Sequence, residues 1–195
     1  MRFSMTMFAV AAAWMPAVAM AQAEAPFTGP YVGVEAGALE HHIYLEPQGG
    51  NGTAGRYYRA WGAGGGVFVG HDIAVGEHLR IGGEAGVTAG GGDNVVRFAG
   101  GSELRLAPRY GYRVSLHGGA VIGSALFVYA SGGYGGNRYR IRNTAGVTGV
   151  SEWGGSFEVG AGVEYRISPR LGIRVDYKHV DNQTHQFFVG VPVRF

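Results

Sequence analysis

His185-Gln186-Phe187-Phe188-Val189-Gly190-Val191-Pro192-Val193-Arg194-Phe195 alternates with a period of two. Phe187, Val189, Val191, Val193 and Phe195 fall on one side of an extended strand, and Gln186, Phe188, Gly190, Pro192 and Arg194 on the other. A strand with one wholly apolar face that ends on a bare aromatic residue suits a closed sheet whose outside meets lipid.

The same alternation recurs upstream. Residues 31–39 set Val32, Val34, Ala36 and Ala38 against Gly33, Glu35 and Gly37. Residues 79–89 set Leu79, Ile81, Ala85, Val87 and Ala89 against Arg80, Gly82, Glu84, Gly86 and Thr88. Residues 103–116 set Leu104, Leu106, Tyr110, Tyr112, Val114 and Leu116 against Arg105, Arg109, Arg113 and Ser115. Residues 153–166 and 171–179 repeat the pattern, and glycine-rich strands are expected near 61–70 and 126–134. Short connections near 71–78, 117–125 and 167–170 alternate with longer polar, glycine-rich ones at 40–58, 90–102 and 136–151, with 180–184 a short member of the long set. The expected fold is all-β: an eight-stranded antiparallel up-and-down transmembrane β-barrel with short inner turns and longer outer loops.

Composition narrows the class. Residues 1–23 read as a signal peptide, with Arg2 as the basic start, an apolar run over 8–20, and small-x-small cleavage patterns ending at Ala21 and Ala23. Residues 24–195 then form the barrel domain. No later apolar run is long enough for a membrane helix. With no cysteine, thiol catalysis and thiolate metal sites are excluded, and a net charge of +2 gives no basis for nucleic-acid binding. Glycine supplies 37 of 195 residues, without a three-residue period and beside 46% hydrophobic residues, which points to crowded, curved strands.

Alternation alone leaves open which face is inside, since a soluble barrel would turn its charges outward. Three features favour the lipid-facing arrangement. Glycines share the charged face, as a narrow lumen requires. Tyr110, Tyr112, Trp153, Tyr165, Tyr177 and Phe195 sit near strand ends on the apolar face, where interfacial girdles belong. The export signal fits the same arrangement.

Tyr31-Val32-Gly33-Val34-Glu35-Ala36-Gly37 resembles the first strand of the OmpA-like and opacity-like outer-membrane barrel superfamily. Val159-Gly160-Ala161-Gly162-Val163-Glu164-Tyr165-Arg166, then 171–177 and 185–195, is similar to the last three strands of its porin-like surface-antigen members. The resemblance implies a protein of the cell outer membrane, exported after signal-peptide cleavage. Its implied partners are outer-membrane lipid, lipopolysaccharide, the barrel-insertion machinery, and an extracellular or envelope protein bound through the outer loops. Phe187, Val189, Val191, Val193 and Phe195 would carry the insertion signal. No peptidoglycan-binding domain follows, so cell-wall anchoring is not expected. Pro192 removes a ladder donor from the closing strand, and a local bulge is expected there.

Three constellations bear on function. The expected lumen gathers Glu35, Glu84, Glu158, Glu164 and Asp176 with Arg80, Arg105, Arg109, Arg113, Arg166, Arg174, Lys178 and Arg194. In a narrow barrel these charges pair into a plug. The alternative is a narrow porin-like channel with a weak anion preference, because bases outnumber acids. His41, His179 and His185 converge on the outer rim if strands one and eight adjoin, and imidazoles there either ligate a transition metal or stay solvated. Adjacent His42 points to the opposite face from His41.

Lipid A deacylases are small outer-membrane barrels that use a His-x-Ser-Asn motif. His179-Val180-Asp181-Asn182 occupies the corresponding place with Asp181 where the nucleophilic serine belongs, so a lipid A-modifying hydrolase is the least favoured reading. Gly50-Asn51-Gly52-Thr53-Ala54-Gly55 has dinucleotide-type spacing but opens no helix and reads as an outer loop. The sequence reading is therefore a non-enzymatic, cofactor-free outer-membrane barrel with a structural and surface-interaction role through its outer loops.

Overall fold

The computed structural model describes residues 25–45, 56–97, 101, 103–143, 151–180 and 184–195. The signal segment with Ala21 and Ala23, the loop from Gly50 to Gly55, and Asp181 and Asn182 lie outside them. The strands are β1 (Gly29–Leu45), β2 (Arg56–Val75), β3 (Leu79–Gly90), β4 (Asn94–Arg97), β5 (Glu103–Ile122), β6 (Leu126–Asn143), β7 (Ser151–Arg166), β8 (Gly172–Val180) and β9 (Thr184–Arg194).

Each strand pairs antiparallel with its neighbours, β1 pairs β9, and β3 pairs β5 to close the ring. The ring is eight strands around, because β4 prolongs β3 rather than adding a place. β3 occupies the lower part of β5, opposite Tyr110 to Ala120, and β4 takes the upper part, opposite Glu103 to Leu106. The break between them falls at Gly90 and Gly91, whose φ values of 99° and 112° suit glycine.

Outward positions form the apolar face and inward positions the charged face. Val34, Val67, Val87, Val114, Val159 and Val175 are each more than half exposed, whereas Glu35, Glu84, Arg113, Glu164, Arg174 and Arg194 are buried. This inverts the packing of a soluble barrel, because lipid here takes the place of a core. Inner glycines make the room: a Cβ at Gly86 would lie 3.1 Å from the Arg113 guanidinium carbon, and one at Gly190 would lie 3.2 Å from Arg174 Nε.

The strands run further than composition suggested. Residues 71–75, 117–122 and 135–143 are strand, leaving turns at 76–78, 123–125 and 167–170. Gly136, expected to open a loop, pairs with Tyr112.

Two other expectations change. Pro192 produces no bulge, since β9 keeps one register against β1 throughout. The Arg194 N–H donates towards β8, to Arg170 O at 2.8 Å, so the nitrogen of Pro192 two residues earlier faces the same side. There the β8 ladder stops at Arg174↔Gly190 and resumes in register at Leu171↔Val193, so the missing donor falls in that gap. The bulge lies instead in β5, between Pro108 and Tyr110. Pro108 opposes Tyr139 and Tyr110 opposes Arg138, which leaves Arg109 as the extra residue and swaps the faces of the strand above it.

The β1–β9 seam is close-packed at Gly37, where a Cβ would overlap the Phe187 carbonyl and lie 2.9 Å from Phe188 Cα. At Gly132 a Cβ would meet only the Glu158 carbonyl, at 4.0 Å. Gly37→Ala should cost about 1–3 kcal/mol of urea stability in lipid vesicles, read by the heat-modifiable gel shift, while Gly132→Ala should leave the midpoint near wild type.

Candidate functional site

The candidate site is the inside of the barrel, and it is built in tiers. In the middle tier, β1 presents Glu35, β3 Glu84, β5 Arg113 and β8 Arg174. Arg113 reaches Glu35 through both Nη atoms, at 2.5 and 2.9 Å, and Glu84 Oε1 at 3.0 Å. Arg174 donates to both oxygens of Glu84, at 2.5 and 3.0 Å, and lies 3.6 Å from Glu35. Two carboxylates and two guanidiniums thus alternate in a ring, each cation touching both anions. The Arg174 guanidinium lies 3.7 Å from the Phe68 ring centroid and that of Arg113 5.6 Å from Phe188. Tyr31 donates to Glu84 at 3.2 Å and Tyr129 to Asp176 at 2.6 Å. Arg174 Nε is 2.9 Å from Asp176 Oδ2, an ion pair too bent for a hydrogen bond.

The tier towards the termini holds Arg194, which grips Glu164 at 3.0 and 3.1 Å and Asp72 at 2.7 Å. His117 Nε2 meets the other Asp72 oxygen at 2.6 Å. Below it residues 25–28 fold into the barrel mouth. Phe27 takes a left-handed φ of 60° and lies buried beside Phe127, 5.5 Å between ring centroids, with Arg166 and Arg194 against its ring at 5.9 and 5.6 Å. Arg80 donates to Pro26 O at 2.8 Å and to the carbonyls of Gly76, Glu77 and Leu79. These residues close the end where the short turns lie.

Above the middle tier, Lys178 pairs with Glu158 at 3.4 Å. A cavity of about 220 Å³ then opens towards the outer loops, lined by Arg113, Gln186, Thr184, His41, Tyr139 and Leu106 among others. His41 is buried there, Nδ1 3.1 Å from Tyr139 OH, and His42 hydrogen-bonds Thr184.

The structure therefore places Glu35, Arg80, Glu84, Arg113, Glu158, Glu164, Arg166, Arg174, Asp176, Lys178 and Arg194 on the inside. Arg105 and Arg109 are corrections: both are exposed on the outer face, because the bulge at Arg109 reverses the side taken by every residue above it. Leu104 and Leu106 turn inward in exchange. The sequence reading missed Asp72, His117, Tyr31 and Tyr129. Asp72 and His117 were assigned to turns, and the register Asp72↔Gly82↔His117 across β2, β3 and β5 brings them together.

The three-histidine rim cluster does not assemble. His179 and His185 are direct cross-strand partners on the outer face with Nδ1 atoms 3.4 Å apart, and Tyr177 OH is 2.7 Å from His185. His41 faces the inside of the same wall. Among the described residues, no group of three His, Cys, Asp or Glu side chains is arranged to hold a metal. Phe187, Val189, Val191, Val193 and Phe195 all take outward positions on β9 or at its end.

Glu84 accepts from both arginines of the middle tier, so its neutralisation leaves Arg113 with Glu35 alone and Arg174 with Asp176 and the longer contact to Glu35. Glu84→Gln should lower the unfolding free energy in vesicles by about 3–5 kcal/mol, whereas Glu158→Gln, which loses one long contact to Lys178, should cost less.

Two solved structures share this architecture. Neisserial surface protein A matches with a TM-score of 0.55 at 17% identity, over 86% of this chain and 98% of its own. Ail, the attachment invasion locus protein of Yersinia pestis, in complex with the heparin analogue sucrose octasulfate, matches with a TM-score of 0.51 at 14% identity, over 86% and 99%. No curated protein sequence is similar enough to count as a relative. The family described as outer membrane protein beta-barrel domain matches residues 8–195, so a closed ring with a lipid-facing outside and a charged inside belongs here to an outer-membrane protein of that family.

Proposed function

We propose that the protein is a closed, non-conducting barrel that serves as a rigid scaffold for surface contact, with recognition carried by its outer end. The observation that supports this most is the ring of Glu35, Arg113, Glu84 and Arg174, which joins opposite walls across the middle of the lumen. An eight-stranded barrel has room inside for side chains and little else. Here that room is taken by a tier of ion pairs above and a second tier with the Phe27 stopper below. A scaffold of this kind presents loops to the outside without admitting solute, and loops on a rigid frame are where binding resides.

The channel reading loses its charge preference once Arg105 and Arg109 are outside. Glu35, Asp72, Glu84, Glu158, Glu164 and Asp176 then face Arg80, Arg113, Arg166, Arg174, Lys178 and Arg194, one base for each acid. The same reading assigns no catalytic step. The place that a deacylase serine would take is held by Asp181, which brings a carboxylate and no hydroxyl nucleophile.

The mature protein, refolded and verified by heat-modifiable migration, should be silent in a planar bilayer. Removing two cations of the central ring together, Arg113→Ala with Arg174→Ala, should produce current in whatever fraction still folds. Regular unitary conductance from the unaltered protein would overturn the closed scaffold in favour of the pore.

A further inference from the structure

The bulge at Arg109 moves charge as well as register. Above it Arg105 pairs with Arg142 and Ala107 with Arg140, and just below it Tyr110 pairs with Arg138, all on the outer face. Arg97 on β4 and Arg109 itself join them, so the outer surface of β4, β5 and β6 carries a field of arginines. Acids lie beside Arg97 and Arg105. Glu103 lies 3.5 Å from Arg97 and 3.9 Å from Arg105, and Asp93 lies 3.7 Å from Arg105. Among the described residues Arg109, Arg140 and Arg142 have no acidic partner. Arg105 directly opposite Arg142 is a like-charge cross-strand pair in which Asp93 and Glu103 answer Arg105 from one side only.

The height of this field identifies the anion. Below it, Tyr110 and Tyr112 each pack on Trp153 with centroids 5.7 Å apart, and Tyr134 packs on Phe157 at 5.2 Å. Such aromatics mark the headgroup boundary. From Tyr112 down to Ile122, outward Val114, Leu116 and Ile122 are 59%, 72% and 59% exposed. Ten residues of tilted strand span about 25 Å, the height of the apolar band of such barrels. Arg140 and Arg142 stand two and four residues above Arg138, roughly 5–10 Å beyond the aromatic row. Across the barrel Trp61 stacks on Phe187 in the same row, with His185 and the exposed Arg59 above it.

We propose that this arginine face binds the phosphate groups of the lipopolysaccharide headgroup in the outer leaflet. Guanidinium forks match phosphate geometry, and a phosphate above the Arg105–Arg142 pair converts a repulsion into a bridge. The site lies on the strand surface and is separate from both the lumen and the loops. It needs only the outer-membrane placement of the barrel and is independent of whether the lumen conducts.

The test uses the full mature protein in phosphatidylcholine vesicles doped with lipid A, either phosphorylated or dephosphorylated, with folding verified by heat-modifiable migration. Wild type should retain phosphorylated lipid A preferentially and lose it as salt rises. Arg109→Gln, Arg140→Gln and Arg142→Gln combined should weaken retention about a hundredfold, at about fivefold per arginine. If the triple variant folds poorly, Arg142→Gln alone should still give about a fivefold loss. Arg170→Gln, exposed in the short turn at the opposite end of the barrel, should change nothing. Equal retention by the triple or single variant, equal retention of dephosphorylated lipid A, or an equal loss in Arg170→Gln would overturn the site. So would capture of soluble heparin without capture of phosphorylated lipid A, which would make the arginines a glycan-binding face.

Discussion

Closure of the β1–β9 seam is the constraint on which the rest of this molecule depends. In a bilayer there is no water to satisfy a free strand edge, so every backbone N–H and C=O at membrane depth must find a partner within the sheet. The ring meets this demand by returning the last strand to the first, from Tyr31↔Arg194 to Leu39↔Gln186. Glycine follows from the same demand, because Gly37 lets Phe187 and Phe188 approach without a side chain between them. So does the gap at Pro192, where the lost donor faces the β8 side and the β1 ladder stays whole.

Once the ring is closed at this size, the inside becomes an electrostatic problem. Charges drawn into a narrow lumen lose most of their hydration, and each must be matched by opposite charge and hydrogen bonds. The solution is tiered. Glu35, Glu84, Arg113 and Arg174 neutralise one another in the middle, while Arg194 joins Glu164 to Asp72 below. Aromatic rings fill what the ion pairs leave. Phe68 and Phe188 flank the central guanidiniums, and Phe27 closes the end by the short turns. Cohesion inside is therefore polar, and apolar burial is supplied by the surrounding lipid.

The outer surface answers to a different boundary. Apolar side chains stop at an aromatic row, and above it the two halves of the barrel diverge. One wall carries Arg59 and the His179–His185 pair, and the other carries a cluster of arginines. A one-residue bulge adds Arg105 and Arg109 to the arginines that β6 already turns outward. Without it, Arg105 would point into the lumen and Leu106 would face the headgroups.

The sequence by itself determined the fold class, the lipid-facing side and most of the inward charges, because strand periodicity is a local property that two-residue alternation records directly. Val32 to Ala38 and Phe187 to Phe195 could be assigned to faces without knowing any neighbour. Only the tertiary structure decided what depends on register between distant strands. Asp72 and His117 meet because β3 lies between them, and His41 is parted from His179 and His185 because it faces the other side of the wall. Arg105 and Arg109 crossed to the outside because parity is conserved only until a bulge inserts a residue. That insertion is a property of how β5 is paired with β6 and leaves no mark in the alternation of β5 alone.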